Sequence, residues 1–269
     1  MGRQANPRNA RSGQPVWNSP ELPARDQLAR TCLNLRGCDI QLLDEDNPQF
    51  FPDPRESDSD GLVAVSRTLG VDRLIHAYRN GIFPWLKMDY PPFLWCWFSP
   101  DPRMLLFPKE FKVSRSLGKA IKENLFEIKI DRDFRSIIEK CASVKRSHEE
   151  STWIESDLIE DYVRLHELGI AHSIEAYQDG ELKGGLYGLS IGNLFFGESM
   201  FHHASEASKV CLAKLAEVAG RNGFAFIDCQ VHTPHLESMG AREIERARFL
   251  DLLEDGLAQP SKMDWQRET

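Results

Sequence analysis

A chain of 269 residues with 41% hydrophobic and 28% charged side chains is long enough to bury a large core and too apolar to be wholly disordered. Its formal net charge of −8 excludes a general nucleic-acid coat, which works by neutralising phosphate, while leaving room for a local basic patch on an acidic body. No apolar run reaches membrane-span length, the best short run being Phe93 to Phe98, so no membrane partner is expected.

In chain order, residues 1–58 read as a poorly ordered extension. They hold Pro7, Pro15, Pro20, Pro23, Pro52 and Pro54 and end in the polar run Glu56 to Asp60. An apolar stretch from Cys32 to Leu43 has enough hydrophobes to add a strand or short helix at a domain edge. The arginine-bearing start has no apolar signal region, and a plain disordered tail is expected there. Order should begin at Gly61. Leu69 to Asn80 reads as a helix with Leu74, Ile75 and Tyr78 on one face and Gly81 as its stop. The proline-rich aromatic segment from GIFPW to SPDPR reads as a packed, irregular connection.

Beyond residue 110 the pattern becomes regular. Ser114 caps a helix to about Asn124, Phe126 to Ile130 alternates as a strand, and helices follow over Asp133–Ala142 and Asp157–Leu168. Three strands come next, Ala171–Tyr177, Leu182–Ile191 and Leu194–Glu198, with turns at Asp179–Gly180 and Gly192–Asn193. Ser205 caps a helix to about Ala219, Phe224 to Val231 forms an apolar strand, and a helical turn, a small strand at Arg242–Ile244 and a helix over Ala247–Leu253 finish the chain. The order predicts an α+β fold with a central mixed sheet, as in acetyltransferase-like cores. The expected divisions are an extension over 1–58, a small N-terminal domain over 59–110, the mixed-sheet, acetyltransferase-like domain over 111–255 and a tail over 256–269.

Several polar residues stand where a plain core would be apolar. Glu198 ends a strand in GESMF, where a solvated acid is the simpler reading. Asp228 and Gln230 are two apart in an apolar strand, so alternation puts them on one face, with Ile227 and Cys229 on the other. A Cys229 nucleophile with His232 or His235 as base is set against simple packing of a thiol that faces away from Asp228. His202–His203 and His232-x-x-His235 lack the Glu of a helical zinc motif, and the six cysteines (32, 38, 96, 141, 211 and 229) contain no CxxC pair; no metal is expected, and a reducing cytoplasm is. Trp85 and Trp153 lie beside loop-forming residues, where aromatics serve as stacking platforms. Arg115, Lys119 and Lys122 share one helix face, which is either a solvated face or a basic patch. Gly184–Gly185 suggests close backbone approach by a ligand. The region Phe201 to Ser208 has no glycine-rich phosphate loop, which argues against coenzyme A.

Ten motifs stand in order: GIFPW (81–85), SPDPR (99–103), SRSL (114–117), TWI (152–154), YVRLHELGIAHSIE (162–175), GGLYG (184–188), GESMF (197–201), ASK (207–209), IDCQ (227–230) and GAREI-x-R (240–246). Together they resemble the bacterial leucyl/phenylalanyl-tRNA–protein transferase family, from Gly61 to about Leu253. The resemblance implies an acetyltransferase-like C-terminal domain behind a smaller N-terminal one. The implied reaction moves leucine or phenylalanine, with methionine a further candidate, from aminoacyl-tRNA to the N-terminal Lys or Arg of a protein and so marks that protein for degradation. By position in the motifs, Asp228 and Gln230 match the catalytic pair and Glu198 the acidic active-site residue, a candidate for meeting the acceptor's basic side chain. Leu186, Phe195 and Met200 match aminoacyl-pocket residues, Trp85 and Trp153 the aromatics that hold the terminal adenosine, and Arg115, Lys119 and Lys122 the acceptor-stem cluster.

The chain departs from the family pattern at Phe98, at His202–His203 in place of Ser-Arg, at Glu206 in place of Asn and at Ser66–Arg67 in place of two glycines. The ester donor is already activated, so no ATP, metal or cofactor is expected, and a cytoplasmic monomer is. Two alternatives stay open: a coenzyme A-dependent or other acyltransferase on the same core, and a non-catalytic tRNA-binding module.

Overall fold

A computed structural model describes residues 40–88, 93–143 and 156–268, and two sheets organise them. Strands β1 (Gln41–Leu42), β2 (Leu62–Ser66), β3 (Phe83–Lys87) and β4 (Trp95–Phe98) form the smaller sheet in the spatial order β1-β2-β4-β3. The irregular connection expected over the GIFPW and proline-aromatic segment is therefore replaced, in its described part, by two strands. Trp95, Cys96, Trp97 and Phe98 are buried on both faces, so the alternation that betrays a strand is missing. Pro84 fits because β3 is an edge strand and its register shifts between Pro84 and Leu86.

The extension expected through residue 58 is a second correction. β1 pairs in parallel with β2, Leu43 is buried, and the Phe51 ring meets Trp97 edge-on at 5.2 Å. Residues 40–58 thus pack on the small sheet through Leu43 and Phe51, while the tail expected before them, with Cys32 and Cys38, lies outside the described residues.

The larger sheet contains β5 (Arg103–Leu106), β6 (Glu127–Ile130), β7 (Ala171–Gln178), β8 (Glu181–Ile191), β9 (Leu194–His202), β10 (Phe226–Gln230) and β11 (Arg242–Ile244), in the order β11-β5-β10-β9-β8-β7-β6. Only β9 and β10 run parallel among its pairs. β5 belongs to this sheet although it precedes the division expected near residue 110. The α+β class with a mixed sheet behind a small N-terminal unit is what the sequence predicted.

Strand alternation divides the larger sheet's side chains between two cores. On one face Ile174, Leu186, Phe195 and Ile227 meet helix α2 (Arg115–Lys122) through Leu117 and Ala120, and helix α5 (Ala207–Arg221) through Cys211, Leu212 and Leu215. On the other, Leu105, Tyr187, Phe196 and Phe226 meet α1 (Val71–Arg79), α3 (Phe134–Ser143), α4 (Ser156–Glu167), α7 (Arg246–Leu257) and the small sheet. A short helix α6 (Pro234–Ser238) is capped by Thr233, whose hydroxyl accepts from Leu236 N at 3.1 Å.

Two further expectations change. α5 begins behind Glu206 in the left-handed region (φ 69°) with no side-chain cap, instead of behind Ser205. Gly184 and Gly185 serve helix packing: a Cβ would lie 2.6 Å from Ala207 Cβ at the first and 2.6 Å from Ile137 Cδ1 at the second. No described helix is long and apolar enough to cross a membrane.

Candidate active site

The polar residues singled out in GESMF and IDCQ lie where the two parallel strands part. β9 and β10 pair at Leu194–Phe226, Phe195–Ile227 and Phe196–Asp228, and the ladder ends there. Each strand then carries an irregularity against its other neighbour. Gly188 faces Gly197 and Tyr187 faces Ser199, leaving Glu198 as the extra residue of a bulge. Asp228 faces Leu105 and Gln230 faces Met104, leaving Cys229 as the extra residue, with Gln230 at φ 65°. A glutamine in the left-handed region is uncommon and is held only when its surroundings over-determine it. Here the Gln230 backbone N–H donates to Asp228 Oδ1 at 2.9 Å, and its side-chain Nε2 donates to Glu198 Oε1 at 2.8 Å. Past the end of the ladder, that side-chain bond joins the strands.

Asp228 is locked by a residue that the sequence reading passed over. Arg103 Nε donates to Asp228 Oδ1 at 2.9 Å and Nη2 to Oδ2 at 2.6 Å, while Nη1 donates to Gly81 O at 3.1 Å. The guanidinium lies between the rings of Phe83 and Phe249, at 4.7 and 4.5 Å. Both partners of this ion pair are 0% exposed. A signal was available: a lone arginine opening the apolar run RMLL and a lone acid inside FIDCQ are two buried charges that need each other.

Glu198 has no such cation. Tyr78 OH donates to Oε1 at 2.7 Å and Tyr162 OH to Oε2 at 3.0 Å, and the two phenol oxygens lie 2.5 Å apart. Three contacts among these groups need three protons, and the phenols supply two; a protonated carboxyl supplies the third by donating to one phenol, which then turns its own hydrogen to the other. Burial above all, with the charge of Asp228, pushes Glu198 up to about 7 against the downward pull of its three donors. Burial and the Glu198 charge likewise push both phenols well above their ordinary value. The solvated acid favoured from position alone is therefore a buried one.

The other candidates fall around this centre. Leu186 faces Met200 across β8–β9, and Phe195 faces Ser190; Leu186 and Phe195 are buried and Met200 half-buried on the α5 side of the sheet. The apolar set and the acid network thus occupy opposite sides of the fork. Trp85 is half-buried, edge-on to Phe98 at 5.2 Å, and Trp153 lies outside the described residues. Arg115, Lys119 and Lys122 are exposed on α2, with Lys119 4.0 Å from Glu123. Cys229 packs against the α5-side core, and burial pushes its thiol up, which removes the thiolate a nucleophile needs. Burial also lowers His202, His203 and His235, the last to about 4.

Models of one protein family match this chain: the leucyl/phenylalanyl-tRNA protein transferase model over residues 105–254, and that family's N-terminal domain model over residues 67–105. The chain belongs to the leucyl/phenylalanyl-tRNA protein transferase family. A member from Syntrophobacter fumaroxidans is 50% identical over 208 residues, 77% of this chain and 88% of that protein. One from Azotobacter vinelandii is 49% identical over 227 residues, 84% of this chain and 99% of that protein. Among solved structures, a GCN5-related N-acetyltransferase-like protein from Streptococcus suis gives a TM-score of 0.32 at 14% identity, covering 68% of each chain, too low to carry an argument. The family members are transferases, and so is this chain.

Proposed function

We propose that the chain transfers leucine or phenylalanine from aminoacyl-tRNA to the N-terminal Lys or Arg of acceptor proteins in the cytoplasm, marking them for degradation. The observation that carries this is the Gln230–Glu198 bond at the fork of β9 and β10, held from behind by the Arg103–Asp228 pair. The family supplies the reaction; the roles proposed below are those the geometry supports.

The donor is an activated ester, so the chemistry is aminolysis. The acceptor's α-amine, with a pKa of about 7.7–8.0, attacks the ester carbonyl. The new peptide C–N bond replaces the ester C–O bond, and the amine's proton ends on the departing ribose oxygen. The enzyme's task is to position two substrates and stabilise passing charge. Gln230 suits this task. Its Nε2 is committed to Glu198, and its Oε1 accepts no hydrogen bond among the described residues, leaving that oxygen to receive an N–H of the attacking amine.

Asp228, matched above to the catalytic pair, takes a role behind Gln230 in this proposal. Oδ1 accepts two hydrogen bonds and Oδ2 a third, and the side chain is fully buried. It is a positioning residue that fixes the Gln230 backbone. Glu198, with both oxygens engaged inside the protein, anchors the Gln230 amide and carries a negative charge near the amine above neutral pH. Leu186, Phe195 and Met200 would receive the donor's side chain. Trp85 would meet the terminal adenosine and Trp153 would join it, while Arg115, Lys119 and Lys122 would meet acceptor-stem phosphates. The test is incubation with a set of charged tRNAs and a Lys-initiated peptide, read by mass spectrometry. Addition of leucine or phenylalanine to the α-amine is expected; an unmodified peptide would sink the proposal.

A further inference from the structure

The segment after α7 lies beyond residues 105–254, and it returns to the apolar side of the large sheet. There Trp265 opens a 3-10 turn, Trp265–Arg267, and its side chain is buried. The indole stacks on the His172 imidazole (centroids 4.1 Å apart, planes 8° apart) and leans on the ring of Phe195 (5.7 Å, 42°). Neither support is loose. His172 is held at Nδ1 by Asp131 Oδ2 at 2.7 Å and at Nε2 by Gly169 O at 3.2 Å. The turn is tied to the end of α5, where Glu268 accepts from Arg221 and, at 3.3 Å, from Asn222 Nδ2. The indole Nε1–H is buried without a hydrogen-bond partner among the described residues. An orphan donor lowers stability, and a phenylalanine would fill space without it. What the indole adds is breadth behind Phe195.

We infer that Trp265 is a specificity-determining residue: through Phe195 it sets the depth of the aminoacyl pocket and so the balance between a branched aliphatic and a bulkier aromatic donor. This rests on the pocket proposed above at Leu186, Phe195 and Met200. With the indole in place, the Phe195 ring is backed by a rigid stack running through His172 to Asp131. Without it, the ring can retreat into the vacated space, and the pocket deepens from the rear without any change in the residues that line it.

The experiment compares kcat/KM for leucyl-tRNA and phenylalanyl-tRNA in the full chain, its Trp265→Ala and Trp265→Phe variants, and Leu186→Ala. The leucine-to-phenylalanine ratio should fall about tenfold in Trp265→Ala, the scale of a misfit of one methylene or so. The change should sit in KM and kcat for the donor and not in KM for the acceptor peptide, and Trp265→Phe should restore most of the ratio. An equal loss with both donors would mean that Trp265 only supports the fold and would overturn the inference. If Trp265→Ala fails to fold, as judged by melting, Trp265→Leu decides by the same ratio, with Trp265→Phe as the variant that keeps it. Leu186→Ala separates the two readings. A ratio unmoved there removes the pocket itself, whereas a ratio that moves there and not at Trp265 removes only the inference about depth.

Discussion

Asp228 and Glu198 are two buried carboxylates joined through one glutamine, and they are treated in opposite ways. Asp228 faces a guanidinium sandwiched between two rings, so its charge is compensated on the spot. Glu198 meets only neutral donors, two phenols and an amide, and burial pushes it up to about 7. The first arrangement fixes geometry. The second keeps a group whose charge changes where the acceptor amine also titrates. A site that needed only rigidity would pair both acids with cations, and a buried acid left without one supports the proposed placing of the chemistry at this fork.

The comparison breaks most visibly at Arg103. Arg103→Met leaves Asp228 buried without its partner, and should cost about 3–5 kcal/mol of stability in urea denaturation. Adding Asp228→Leu should recover most of that loss, since well-packed apolar replacements of a buried pair are often neutral, while transfer stays low because the Gln230 backbone has lost its acceptor. A double variant as unstable as the single one would mean the pair is not self-contained.

Glu198→Gln sharpens the other half. Glu198 binds its proton more tightly folded than unfolded, so between its ordinary value of 4.5 and about 7 the folded state holds more protons. Its contribution is therefore lost as pH rises through that window, and the neutral glutamine should make the variant more stable than the parent above pH 7. In kcat/KM, a rising limb near pH 7 should vanish from the variant, leaving that of the substrate amine. Parallel stability curves for parent and variant from pH 5 to 8 would show that Glu198 does not titrate there.

Smaller effects are expected away from the fork. Charge reversal at Arg115, Lys119 and Lys122 should weaken tRNA binding and flatten its salt dependence, because each phosphate contact releases counterions. Transfer from an aminoacyl-adenosine without an acceptor stem should change much less. Deleting residues 1–28 should leave melting temperature and transfer unchanged, whereas deleting residues 1–55 should lower the melting temperature, because β1, Leu43 and Phe51 pack on the small sheet. Equal melting temperatures for the two truncations would contradict that contact.

Much of this was legible in the chain. The helices over 115–122, 134–143 and 156–167 announce themselves by apolar spacing, and glycine turns bracket β7, β8 and β9. What was hidden shares one cause, which is that tertiary packing overrode a local rule. WCWF has no alternation because both its faces are covered, and Pro84 is tolerated because its strand lies at an edge. RMLL is too short to announce a strand, and its arginine gains meaning only against Asp228, 125 residues later. Glu198 looked solvated because a bulge cannot be read from GESMF. The catalytic candidates were found as polar residues out of place, but their partners Tyr78, Tyr162 and Arg103 come from α1, α4 and β5, and no local spacing connects them.

The central claim is that Gln230, pinned between a locked Asp228 and an unpaired Glu198, positions the attacking amine. The direct measurement is single-turnover transfer of leucine to a Lys-initiated peptide by Gln230→Ala, with equilibrium tRNA binding measured on the same preparation. Transfer should fall by about 10²–10³, the scale of losing one preorganised polar contact to the reacting groups, with tRNA affinity and melting temperature nearly unchanged. Near-normal transfer, or a loss that follows tRNA affinity, would contradict the account.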